Sequence, residues 1–148
     1  MAPVVTNAVE LAAEADAVFD YMTDLRNEPR WNPQMRRVEK ITDGDVGRGT
    51  RFRVVFGRGV GEALVEHTAF DRPRSWSSLS RSRLLDVESA NRVEPIPGGC
   101  RLVIGTQLFP HGALRLATPM LRRWMHRTWA RDLARVKTQV EQASQERT

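Results

Sequence analysis

The amino-acid sequence predicts an α+β fold in which an antiparallel sheet packs on one long C-terminal helix. Three observations predict it. In residues 114–142, Thr118, Leu121, Met125, Trp129, Leu133, Val136 and Val140 recur at steps of three and four, which places them on one broad helical stripe. Upstream, from Met35, short alternating runs are separated by Gly/Pro turns too tight for helical crossovers, so neighbouring runs pair antiparallel. A lone amphipathic helix needs an apolar surface, and a curved sheet supplies one.

Taken in order, residues 3–11 form a first strand with Val5, Asn7, Val9 and Leu11 on one face. Asp16 can cap a short helix that turns Val18, Phe19 and Met22 inward, with Tyr21 packing beside them. Asn27 can cap a second short helix. Pro29 suits its early positions, and Asn32-Pro33 ends it. Trp31 is a large apolar anchor in this polar segment. Strands follow at 35–42, 50–56, 62–70, 76–82, 85–94 and 100–109. Their turns are Asp43-Gly44-Asp45 with Gly47-x-Gly49, the hairpin at 57–61, 71–74 with Pro73, and 95–99. Thr118-Pro119 reads either as an N-cap and first helical residue or as a kink in a helix begun near Gly112. Arg122, Arg123, His126, Arg127, Arg131 and Arg135 lie mostly off the apolar stripe and form a solvated basic face.

A chain of 148 residues is expected to form one domain, 1–148, with a core that needs no staples. The single cysteine, Cys100, leaves no internal disulfide and no CxxC spacing. The first residues carry acids where a signal peptide needs an apolar core. No run approaches the ~20 apolar residues of a membrane span. A cytoplasmic protein without integral membrane association is expected. The net charge of +5 is almost all arginine, since Lys40 and Lys137 are the only lysines. The basic residues are scattered among 18 acidic ones, without an aromatic nucleic-acid-binding cluster, finger spacing or recognition-helix pair. No nucleic-acid partner is expected.

A set of spaced elements covers nearly the whole chain. They are Val18-Phe19, Thr23-Asp24, Pro29-x-Trp31-x-Pro33, Gly49-Thr50-x-Phe52, Phe70-Asp71-x-Pro73, Glu94-Pro95, Gly98-Gly99-Cys100-Arg101-Leu102 and Leu133…Lys137…Glu141. Their order resembles the START-like (SRPBCC) superfamily, nearest to its polyketide cyclase/dehydrase branch. The resemblance implies a helix-grip fold: a bent seven-stranded antiparallel sheet around the long C-terminal helix, two short helices after the first strand, and a cavity for apolar or amphipathic molecules. Cys100 stands where the family commonly has threonine.

Alternation gives the side chains expected on the concave face. These are Phe52, Val54 and Phe56; Ala63, Val65, His67 and Ala69; Val87, Ser89, Asn91 and Val93; and Leu102, Ile104, Thr106 and Leu108. With Trp31, Leu121, Met125 and Trp129 they describe an apolar space holding a few polar groups, the composition of a small-molecule pocket. Each one alone also reads as core filler; the family resemblance is what adds a cavity. His67 is the one histidine placed inside as a candidate general acid or base, although Glu66 and Thr68 point away and no carboxylate orients it. Its plainer reading is a hydrogen-bonded filler. Asp132 lies near the apolar stripe and must be paired or protonated, with Arg135 as the partner three residues on. Asn91 and Ser89 read as structural or as ligand contacts. His111 and His126 fall on a loop and on the basic face, so neither a metal site nor a cofactor is expected. Cys100 lacks a histidine nearby, and no GxSxG, P-loop or dinucleotide fingerprint occurs. The expected function is binding of a hydrophobic small molecule (lipid, polyketide or aromatic) by a monomer or homodimer. The alternative is a polyketide cyclase/dehydrase-type enzyme using His67, Asp132 or Asn91.

Overall fold

Every alternating run upstream of residue 110 forms a strand, and every pairing between them is antiparallel. The computed structural model describes residues 4–57 and 61–146. Within them the order is β1 (Val5–Leu11), α1 (Ala15–Thr23), a 3-10 segment (Leu25–Arg30), β2 (Met35–Lys40), β3 (Arg51–Phe56), β4 (Gly61–Asp71), β5 (Ser75–Ser82), β6 (Leu85–Ile96) and β7 (Gly99–Pro110). A second 3-10 segment (Gly112–Ala117) then leads into α2 (Thr118–Glu146). The sheet runs β1-β7-β6-β5-β4-β3-β2. Pro3 and the middle of the hairpin expected at 57–61, including Gly59, lie outside the described residues.

The strands form where alternation separates the two faces. In β3, Phe52 and Val54 are fully buried while Arg51 and Arg53 face water. The edge strand β2 carries Arg36, Arg37, Glu39 and Lys40, which discourage pairing with another chain. One expectation fails. Ala69 was expected on the concave face, but β4 bulges between His67 and Ala69, which reverses the phase. Ala69 is exposed, and Phe70 turns inward instead, with its ring 5.1 Å from that of Phe19.

Two caps also differ from expectation. Glu14, not Asp16, is the N-cap of α1; Asp16 sits in the first turn, where its carboxylate accepts from the Ala17 N–H. Asp24, not Asn27, caps the first 3-10 segment by accepting from the Arg26 N–H at 3.1 Å. Asn27 lies inside that segment and donates its side-chain N–H to the Tyr21 carbonyl. At the start of α2, Thr118 is itself helical (φ −51°, ψ −46°), so the path begins at Gly112 and changes from 3-10 to α at Thr118-Pro119. Proline suits that position because it has no N–H to leave unsatisfied.

The stripe on α2 divides in two. Leu133, Val136 and Val140 are buried, whereas Leu121, Met125 and Trp129 are half-buried. The C-terminal half is fastened to the end of β1: Lys137 donates to the Glu10 carbonyl at 3.0 Å, and Glu141 accepts from the Ala12 N–H at 2.8 Å. The core divides likewise. One cluster joins α1, β5–β7 and the C-terminal half of α2 through Phe19, Trp76, Leu102, Ile104, Leu133 and Val136. The other joins the first 3-10 segment to β2–β4 through Leu25, Met35, Phe52, Val54 and Val65. At the tight turn before β7, a Cβ on Gly99 would lie 1.9 Å from the Leu11 carbonyl oxygen, so only glycine lets β7 begin against the end of β1.

Candidate functional site

Strand register lays the concave face out in rows. Val5, Thr106, Ser89, Ser78 and His67 are successive cross-strand partners over β1, β7, β6, β5 and β4. On one side runs Asn7, Ile104, Asn91, Trp76 and Phe70. On the other runs Leu108, Val87, Ser80, Val65 and Phe52. Cross-strand partners share a face, so a row of hydroxyls and one imidazole crosses the floor between two largely apolar rows.

The hydrogen bonds of that floor are specific. His67 is fully buried; its Nε2 lies 2.7 Å from the Thr23 carbonyl oxygen and its Nδ1 2.8 Å from the Ser78 Oγ. A carbonyl only accepts, so Nε2 carries the proton, and a neutral ring then accepts the Ser78 hydroxyl at Nδ1. Burial holds the imidazole pKa below its ordinary value, which keeps it neutral. Both nitrogens are thereby committed to the protein, tying β4 to α1 and β5. Asn91 donates to the Ser89 Oγ at 3.2 Å, but its own Oδ1 is buried without a protein partner.

The opposing wall comes from Trp31, just past the first 3-10 segment, and from α2. Trp31 is 2% exposed, with its ring 5.7 Å from that of Trp129, and its indole N–H has no partner among the described residues. The Thr128 hydroxyl and the Tyr21 hydroxyl are likewise buried and unpartnered. Burial raises the Tyr21 pKa. Asn7 donates from its amide to the His126 carbonyl at 3.0 Å, joining β1 to α2. A buried polar group without a partner is costly unless water or a ligand satisfies it.

Two carboxyl groups add to this wall. Asp132 is 4% exposed, and its Oδ1 accepts from Arg135 at 3.0 Å, as its spacing predicts. Burial nonetheless outweighs Arg135 and Arg131 and pushes its pKa up to about 6. Glu28, half-buried in the first 3-10 segment, is pushed up to about 8, first by desolvation and then by the charge of Asp132. Near neutrality Glu28 is protonated while most Asp132 is ionised.

The remaining expected residues are distributed as follows. Phe52, Val54 and Val65 are buried in the second core cluster, with Phe56 half-buried against it. Ile104 and Thr106 are buried, Val87 and Ser89 half-buried. Leu121, Met125 and Trp129 are half-buried on α2. Sequence reasoning missed Ser78, Thr128 and Glu28. The alternation Trp76, Ser78, Ser80 could have flagged the first, and the stripe position one turn before Asp132 the second. Only the neighbouring Trp31 hinted at Glu28. Three clefts open elsewhere: along the outer face of α2 (Met120, Arg123, Trp124, Arg127), on the convex side of the sheet (Thr68, Ser77, Glu88), and between the start of β1 and α2 (Val5, Pro119, Arg122, His126). None of these three is lined by Trp31, His67, Asn91 or Asp132, although Ser78 and Ser89 of the floor row also border the second and Val5 the third. Among the described residues no group of three His, Cys, Asp or Glu could hold a metal ion, and no helix is long and apolar enough to cross a membrane.

Comparison with known proteins bears on the family and the fold. Residues 2–141 match the family model described as polyketide cyclase/dehydrase and lipid transport. A START superfamily protein from Mycobacterium smegmatis superposes with a TM-score of 0.79 at 16% identity, over 95% of this chain and 98% of that one. A protein from Thermus thermophilus gives 0.79 at 18% identity, over 96% and 99%. The di-domain ARO/CYC protein StfQ from the steffimycin biosynthetic pathway gives 0.75 at 15% identity, over 95% of this chain and 51% of that one. At these identities the likeness shows the helix-grip fold. No curated protein sequence matches.

Proposed function

The chain belongs to the polyketide cyclase/dehydrase and lipid transport family, and from that premise we propose that it binds a hydrophobic or amphipathic small molecule between the sheet and α2. One observation carries the reading. Polar atoms on both walls, Asn91 Oδ1 from the floor and Trp31 Nε1 and Thr128 Oγ1 opposite, are buried and unpartnered in otherwise apolar surroundings. A ligand with an apolar body and a carbonyl or hydroxyl would satisfy them, while apolar burial at ~25 cal/mol per Å² supplies most of the affinity. In this reading the protein works in the cytoplasm as one domain, a monomer or homodimer, without a cofactor. Its contacts are Trp31, Val87, Ser89, Asn91, Thr106, Leu121, Met125 and Trp129, with Phe52, Val54, Phe56, Val65, His67 and Ile104 shaping the space behind them.

The test is titration with the neutral fluorophore N-phenyl-1-naphthylamine, together with native mass spectrometry of the purified protein. Saturable binding at one site is expected, abolished in Ser89→Phe, which fills the floor. Absence of both a co-purified molecule and saturable binding would overturn the reading.

A second reading, an enzyme of the cyclase/dehydrase type, is favoured by the carboxyl pair. Glu28 near 8 and Asp132 near 6 offer a proton donor and a proton acceptor at the same pH. Asp132 would take a proton from the carbon beside a ketone while Glu28 gives one to its oxygen, forming an enol. His67, bonded at both nitrogens, and Asn91 would then orient rather than transfer protons.

A further inference from the structure

From Pro95 to Arg131 the chain contains no Asp or Glu, yet it contains Arg101, Arg115, Arg122, Arg123, Arg127 and Arg131. The last five lie on the second 3-10 segment and the first half of α2. Among the described residues no carboxylate forms an ion pair with any of them. The same stretch holds the two most exposed large apolar side chains described, Leu116 at 89% and Met120 at 72%, and Trp124 beside them at 44%. They are spaced four apart, and Met120 and Trp124 line an open groove on α2 with Arg123, Arg127 and Arg131. Leu84 and Phe109, also exposed, belong to the same end of the molecule, since the backbone of His111, which follows β7, bonds to the Leu84 carbonyl at 2.9 Å.

We propose that this face, from Leu116 to Arg131, docks the protein peripherally on the surface of an anionic phospholipid bilayer. Arginines held in no ion pair among the described residues complement lipid phosphates, although Asp132 lies close enough to feel Arg131, while Leu116, Met120 and Trp124 enter the interfacial region, where tryptophan is favoured. A nucleic-acid backbone would match the arginines but offers no apolar sink for Leu116 and Met120. The location also has a use. The docked face adjoins the cleft between β1 and α2, where Pro119, Arg122 and His126 meet Val5 and Thr6. Docking would hold that edge of the sheet–helix space against the membrane. The proposal does not require a ligand to be bound, so it stands or falls separately from the binding reading.

The experiment is co-sedimentation of the full chain with vesicles of phosphatidylcholine alone and of phosphatidylcholine mixed with phosphatidylglycerol, at physiological salt. Binding to the anionic vesicles only is expected, with a blue shift in tryptophan emission that Trp124→Ala diminishes. The triple variant Arg123→Gln, Arg127→Gln, Arg131→Gln should partition on the order of 100-fold more weakly. Leu116→Ser with Met120→Ser should retain attraction at low salt and lose the salt-resistant part. Circular dichroism checks that these surface variants fold. Failure of the wild type to bind anionic vesicles, undiminished binding by the triple variant, or binding to polyglutamate or duplex DNA in place of vesicles would each overturn the proposal.

Discussion

Glu28 sits where its own desolvation and the charge of Asp132 both oppose ionisation, and this has a direct consequence for stability. A carboxyl whose folded pKa is raised keeps a proton that the unfolded chain releases. Its effect on stability is therefore absent below the unfolded value and grows unfavourable as pH rises to the folded one. For Glu28 that window runs from 4.5 to about 8, and for Asp132 from 3.8 to about 6. Between pH 6 and 8 the loss belongs to Glu28. Thermal melts at pH 5 and pH 8 are expected to show a drop in Tm for the wild type and a clearly smaller drop for Glu28→Gln; equal drops would refute the assignment. His67 acts in the opposite sense, its pKa being lowered, but it is common to both chains. Its own removal tests the floor: His67→Ala strips partners from the Thr23 carbonyl and the Ser78 hydroxyl and opens a void. A loss of roughly 2–4 kcal/mol in denaturant unfolding is expected. His67 and Asp132 were legible because alternation and helical phase each report which way a side chain points. Glu28 was not, because part of what raises its pKa is the charge of Asp132, from the other end of the chain.

At the scale of elements, the turn into β7 gives the sharpest contrast between two glycines. Gly99 faces the Leu11 carbonyl at a distance no Cβ tolerates, whereas nothing lies within 4 Å of a Cβ built on Gly47. Gly99→Ala is expected to cost about 3 kcal/mol or more, because backbone, not a flexible side chain, must move. Gly47→Ala should change stability by less than about 0.5 kcal/mol. Equal effects in chemical denaturation would contradict that account. The paired glycines at 98 and 99 were legible as a turn; the close approach to β1 was not, since it joins segments remote in sequence. The bulge in β4 was equally hidden. His67, Thr68 and Ala69 carry no turn residue, and the extra residue shows only in the pairing with β5. The cap of the first 3-10 segment moved from Asn27 to Asp24 because both types are competent and the backbone decides between them, whereas α1 begins after Glu14 with no side-chain cap at all.

On the scale of the whole molecule, the core is two apolar clusters rather than one, with the polar row crossing the sheet floor as well. The element order and the antiparallel sheet followed from turn spacing, and closure around α2 from the family resemblance. A ligand that binds only the folded chain stabilises all of it together. At about 100 times its Kd, the neutral fluorophore is expected to add about 2.7 kcal/mol and raise Tm by several degrees, with no shift in Ser89→Phe. A wild-type melt unmoved at saturation would argue against a site inside the fold. The strand order carries one more consequence, in time rather than space. Among the described residues β1 is an edge strand that pairs only with β7, and Val5 is bridged to Thr106 across 101 positions. At a synthesis rate of about 5–20 residues per second, β1 spends roughly 5–20 s on the ribosome before its partner exists. The segment that later anchors α2 thus waits longest of the strands for its partner in the sheet.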